Sequence, residues 1–208
     1  MQIRKRNFKH GFTLVELLVT ISIFAILTGI VLFNQGKFNS TILLTNLAYD
    51  TALTIREAQT YGINIKEFGT SQFVPYGVHF DISNTGNDKS FILFADVNYD
   101  LVTKILTPFS PVNINTCNPT EGCVSRYSIK RGNLISKICV LSNTVGSYDC
   151  DVKILDIIFK RPDPDAVIYA GGSNSTEYNK AIITLTSADD SGNKTVTVQA
   201  NGLIEIGN

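Results

Sequence analysis

With 208 residues the chain can build one ordinary domain plus a further element. Its 18 Lys and Arg balance 18 Asp and Glu, so it lacks the overall basic excess of a nucleic-acid binder. Hydrophobic residues make up 44%, an ordinary share, but they are gathered at one end.

The first nine residues hold Arg4, Lys5, Arg6 and Lys9. From Phe12 to Phe33 the chain is mostly apolar, and Glu16 is its only charged residue. At about 1.5 Å per residue this run reaches about 33 Å as a helix, enough to cross a bilayer core. The basic segment should stay in the cytoplasm, which sends the remainder outward. A cleaved secretory signal would carry a shorter apolar region with a small-residue cleavage site behind it. Neither feature is present. A plain signal anchor explains this topology equally well, but it does not explain Glu16. A carboxylate in such a helix costs about 2.5–3.5 kcal/mol on insertion scales, so it calls for a partner or a task.

No proline precedes Pro75, so one helix is predicted over about 12–61, with Gly62 as its stop. Gly29 and Gly36 are points where it could bend. Beyond the apolar run, Leu44, Leu47, Ala48, Ala52, Ile55 and Ala58 recur at helical spacing and predict a packed face. Asp50, Arg56 and Glu57 fall on the other side, toward solvent or other chains.

After Phe68 the pattern changes to short β-like runs at 73–81, 90–98, 134–142, 153–160, 166–170, 181–187, 195–200 and 203–206. Turn signals separate them, and Asn201-Gly202 is a hairpin turn. The expectation is an α+β fold: a long N-terminal helix, transmembrane in its first half, packed on an antiparallel β-sheet domain.

Cys117, Cys123, Cys139 and Cys150 all lie in the exported portion, where disulfides persist. Their spacings suggest two local loops, Cys117–Cys123 and Cys139–Cys150, although four cysteines permit three pairings. Free thiols and a zinc site are the alternatives; no C-x-x-C pair exists to favour zinc. Asp96-Val97-Asn98-Tyr99-Asp100 alternates oxygen ligands as a calcium loop begins. Leu101 stands where the turn glycine belongs and Thr107 where a bidentate glutamate belongs, so a solvated strand end is the simpler reading. Asp163-Pro164-Asp165 follows Arg161-Pro162 and reads as an exposed loop rather than an acid/base pair. The sequons at Asn39, Asn174 and Asn193 read as turn chemistry. With two histidines, no glycine-rich phosphate loop and no nucleophile motif, catalysis has little to build on. No enzyme activity, cofactor or resident metal is expected.

The residues Gly11-Phe12-Thr13-Leu14-Val15-Glu16-Leu17-Leu18-Val19 stand directly after the basic leader. This segment resembles the prepilin peptidase site shared by type IV pilins, type II secretion pseudopilins and competence pilins. The resemblance implies cleavage between Gly11 and Phe12, N-methylation of Phe12, and a role for Glu16 in assembly. The counter-charge of Glu16 would then be the Phe12 amine of a neighbouring subunit. It also implies the partners: prepilin peptidase, other pilin or pseudopilin subunits, and the inner-membrane assembly platform. Residues 1–11 become a cleaved leader, 12–33 a transmembrane half-helix, 34–62 an amphipathic half-helix, and 63–208 an exported domain with a cysteine-bearing insert at about 107–151.

A looser likeness to the H-type minor pseudopilins (GspH/FimT) rests on three places. They are Leu47-Ala48-Tyr49-Asp50 with Ile55-Arg56-Glu57-Ala58, the runs 76–81 and 91–98, and the closing 195–204 hairpin. The insert departs from that pattern. Some relatives that take up DNA are basic after the final hairpin glycine. Here Leu203, Ile204 and Glu205 follow Gly202, so nucleic acid is not expected as a partner. The function implied is a minor subunit of a type II secretion pseudopilus or type IV pilus. The alternative is a tip adhesin or substrate-binding module of such a filament, including a competence pilus. Either way the chain would sit in the inner membrane by a single pass before entering the filament.

Overall fold

The structure, a computed structural model, describes residues 11–64, 66–69, 73–99, 103, 105–111, 116–142, 146–172 and 178–207. Residues 1–10, with the basic cluster, therefore lie outside the described residues. The chain divides into two compact units, Met1–Asn39 and Ser40–Asn208.

A single helix, α1, runs Leu14–Ile63. Thr13 caps its start: its Oγ1 accepts from the Glu16 N–H at 3.2 Å, and its carbonyl accepts from the Leu17 N–H at 3.1 Å. In the first unit, Leu14–Leu32 has a mean hydropathy of 2.5 and is 0% buried within the chain. In the second unit, Leu44, Leu47, Ala48, Ala52, Ile55 and Ala58 are all buried, together with Thr51. Thr51 returns its hydroxyl to the Leu47 carbonyl at 2.8 Å, which lets a polar side chain sit on the packed face.

The helix does not stop at Gly62. A Cβ there would stand 2.4 Å from the Phe159 carbonyl oxygen, so Gly62 answers a close approach of two backbones rather than a left-handed cap. At the same end, Gln59 Nε2 donates to the carbonyls of Pro164 at 2.9 Å and Gly202 at 3.1 Å, tying the helix to two loops. Asn39-Ser40-Thr41 lies within α1 and not in a turn, while Asn193 opens a strand. Asn174 lies outside the described residues.

Ten strands follow: β1 (Tyr76–Asp81), β2 (Ser90–Ala95), β3 (Cys123–Ser128), β4 (Leu134–Ser142), β5 (Tyr148–Val152), β6 (Ile154–Phe159), β7 (Ala166–Ala170), β8 (Tyr178–Thr186), β9 (Asn193–Gln199) and β10 (Ile204–Gly207). They form two antiparallel sheets, ordered β3-β2-β1-β6-β7 and β10-β9-β8-β4-β5. The α+β architecture is as expected, with the β domain split into two sheets. The stretch at about 107–151 supplies β3, β4 and β5, and β4 pairs with both β5 and β8. It is built into the fold rather than attached to it. The chain passes from the second sheet to the first through Lys153 alone.

The main core gathers the packed face of α1 with inward residues of both sheets, among them Tyr76, Phe80, Phe91, Ile138, Phe159 and Ile183. A second, smaller core lies on the opposite face of the first sheet, where Ile92, Phe94 and Ile158 meet Leu106 and Phe109. Covering both faces leaves all six residues of β2 buried and explains its unbroken apolar run.

Candidate functional site

Gly11 and Phe12 precede the helix without regular structure and are exposed, Phe12 at 78%. Among the described residues nothing lies within 4 Å of where a Cβ on Gly11 would stand. The next turn is set by Thr13, whose hydroxyl accepts from the backbone N–H of Glu16 at the third helical position. The Thr13 cap was missed from sequence, although a threonine at the start of the apolar run displays it.

The polar side chains further along the apolar span satisfy themselves. Thr20, Ser22 and Thr28 return their hydroxyls to the carbonyls of Leu17, Leu18 and Phe24 at 2.9, 2.8 and 2.7 Å. A span arranged this way exposes no unpaired hydroxyl to lipid. The Glu16 carboxylate differs: among the described residues no donor or cation meets it. It lies in the first helical turn, where the helix dipole favours an acid, and it remains available to a positive group from outside the chain.

The four cysteines form two disulfides, Cys117–Cys123 and Cys139–Cys150, with Cα separations of 5.3 and 4.0 Å. The first closes the loop that leads into the edge strand β3. The second clips β4 to β5, where the register of the pair shifts between Ile138 and Val140.

Asp96 does not stand at a solvated strand end. It is buried, and its carboxylate accepts from Thr107 Oγ1 at 2.5 Å, the Thr107 N–H at 2.9 Å and the Asn98 N–H at 3.2 Å. Burial pushes its pKa up, against the pull of those three donors. Thr107, at the position of a calcium-binding glutamate, is thus a donor to Asp96. Asp100 lies outside the described residues. Among the described residues no group of three or more His, Cys, Asp or Glu gathers as a metal site.

Sequence reading also missed a buried pair. His79 on β1 and Asp156 on β6 stand directly opposite, with Nδ1 and Oδ1 2.8 Å apart and almost no exposure. Phe109 covers the His79 ring edge-on at 5.4 Å and stacks on Phe94 at 4.6 Å. Burial drives the Asp156 carboxyl up, more than His79 and the Phe109 backbone hold it down. One titratable residue inside each of two apolar strands, YGVHFD and ILDIIF, was the available signal.

Residues 6–32 match the family model of the prokaryotic N-terminal methylation motif. The match takes in the exposed Gly11 and Phe12, the capped first turn and the lone carboxylate. It supports a place for this chain among the type IV pilins and pseudopilins, whose N-terminal motif implies processing by prepilin peptidase and assembly with other pilins. No curated protein and no solved structure matches the chain. Outside the motif, the pilin-like character rests on the architecture: an apolar N-terminal helix continuing into a domain of antiparallel sheets.

Proposed function

We propose that this chain is a minor pilin or pseudopilin, a structural subunit of a type II secretion pseudopilus or a type IV pilus. It waits in the inner membrane through its apolar span, with the β domain on the far side. Prepilin peptidase cuts between Gly11 and Phe12, and Phe12 becomes the methylated N-terminus. The observation that carries the reading is Glu16: a carboxylate without a partner in its own helix, one turn past the cleavage point, inside the matched motif. A neighbour's Phe12 amine would supply the missing positive charge, and the attraction would set the stagger between subunits. Within this class, the likeness in the second half of α1 and in the closing hairpin favours the H-type minor pseudopilins.

The test is mass spectrometry of the chain purified from a host that carries prepilin peptidase. The expected species lacks residues 1–11 and bears one methyl group on Phe12. A chain that still begins at Met1, unmethylated, in the presence of active peptidase would overturn the reading.

A further inference from the structure

The last hairpin fixes which backbone groups of β10 are free. The Gly202 N–H donates to the Gln199 carbonyl at 2.9 Å, and the Gln199 N–H donates to the Leu203 carbonyl at 3.0 Å. With Gly202 at φ 80°, this is a three-residue loop closed by a bulge. Antiparallel parity then follows from the pairs Glu205↔Thr197 and Gly207↔Thr195. Leu203, Glu205 and Gly207 turn their N–H and C=O groups toward β9, while Ile204 and Ile206 turn theirs away. β10 is the outer strand of its sheet, and among the described residues no hydrogen bond from outside the sheet reaches Ile204 or Ile206.

An apolar groove accompanies this open edge. Ile204 and Ile206 join Tyr49, Ala52, Leu53 and Arg56 of α1 around a cavity of about 290 Å³. Tyr49 is 57% exposed and Leu53 61%, although both flank a buried helix face. The Arg56 guanidinium has no carboxylate partner among the described residues. An unpaired strand edge beside an apolar groove is the arrangement that takes up an extended peptide.

We propose that β10 receives an extended segment of a different protein by strand addition. The segment presents apolar side chains at alternate positions to the α1 groove, a basic residue opposite Glu205, and a carboxylate toward Arg56. A second copy of this chain is a poor occupant in the antiparallel register that engages both isoleucines of each edge. The register that pairs Ile204 with the copy's Ile206, and the reverse, sets Glu205 directly against the copy's Glu205. That pair would be of the closer, non-hydrogen-bonded kind, in which like charges repel. Glu205 thus opposes self-pairing in the register that uses the whole edge, and it selects for a cation. The inference stands on the second unit alone and goes beyond the filament reading, since it needs no cleavage at Gly11.

The test uses the full chain in detergent micelles. The probe is a short fluorescent peptide alternating valine and threonine, with one lysine in its polar face and one terminal glutamate. Anisotropy should show saturable binding. Methylating the amides that face β10 should weaken it about tenfold, the effect of losing two backbone hydrogen bonds. Changing the lysine to glutamate should weaken it about two- to fivefold, as expected for one cross-strand charge pair. Glu205→Lys should recover that loss, and Leu53→Asp should remove binding. Both positions are exposed, and circular dichroism checks that the variants remain folded. No saturable binding, or binding indifferent to amide methylation, would overturn the proposal. So would a dimer of the chain that Leu53→Asp dissolves, because it would assign the groove to a second copy.

Discussion

Glu16 brings two groups to the helix start, a backbone N–H and a carboxylate, and they can be separated chemically. Its backbone N–H is bound by the Thr13 hydroxyl at the helix start, a bond that glutamine keeps as well as glutamate. As an unpartnered carboxylate it offers charge, which glutamine does not. An opposite charge at about 4 Å in an effective dielectric of about 20 attracts with about 4 kcal/mol before desolvation is subtracted. Glu16→Gln should therefore insert and be cleaved normally, yet enter filaments at least about tenfold less than wild type, as Glu16→Ala should. Immunoblots of sheared filaments against membrane fractions measure this. Normal assembly of the glutamine variant would show that the charge of Glu16 does not bring the subunit into the filament.

The His79–Asp156 pair makes a prediction of opposite character, about stability and not assembly. The Asp156 carboxyl is raised above its unfolded value of 3.8, with burial as the main cause. The folded chain then binds more protons than the unfolded chain above that pH, so the contribution of Asp156 falls as pH rises through its folded pKa. Asp156→Asn keeps an acceptor for His79 and removes the titration. In urea melts the variant should gain on wild type as pH is raised from 4 toward 7, and the difference should shrink on returning to acid. A difference that widens toward acid would show that the ionised form is the favoured one in the fold.

Elements differ in how far their residues announce them. The packed face of α1 was legible because six apolar or small residues at helical spacing all turned inward. β4 and β7 matched their runs because alternation or unbroken apolarity marks a strand with a covered face. β3 and β5 went unseen for a physical reason: each is the outer strand of its sheet, and CVSRYS and YDCDV bury only one residue each. An edge strand is held by ladder hydrogen bonds and, here, by covalent clips, neither of which leaves an apolar period. At the site, the motif was readable because its residue types are specific. The Asp96–Thr107 clasp was not, because it is a contact between a strand end and a loop. The clips themselves can be weighed. Closing loops of sequence separation 6 and 11 should stabilise by about 2–3 kcal/mol each in the chain-entropy model, the larger loop slightly more. Replacing Cys139 and Cys150 together by serine should lower the unfolding free energy by about that amount in urea melts of the non-reduced protein. An unchanged midpoint would mean that the β4–β5 ladder holds the edge unaided.

At the scale of the whole chain, the two units require different surroundings. Leu14–Leu32 has no burial of its own and needs lipid, detergent or other helices. The second unit closes its own core, which begins at Leu44 and draws on both sheets. Residues 40–208 alone should therefore fold and remain monomeric in water, whereas the full chain should aggregate once detergent is withdrawn. The path of the chain adds a stronger expectation. It visits the first sheet with β1–β3, the second with β4–β5, the first with β6–β7 and the second with β8–β10. Neither sheet is one continuous segment, and β5 meets β6 across Lys153 alone. Opening one sheet removes strands that the other needs as neighbours, so the sheets have no independent unfolding step. Melts of the 40–208 fragment should give one transition that coincides by far-UV circular dichroism and by tyrosine fluorescence. Two separated transitions would mean that one sheet survives without the other, and that the shared core couples them less tightly than their interleaved connections require.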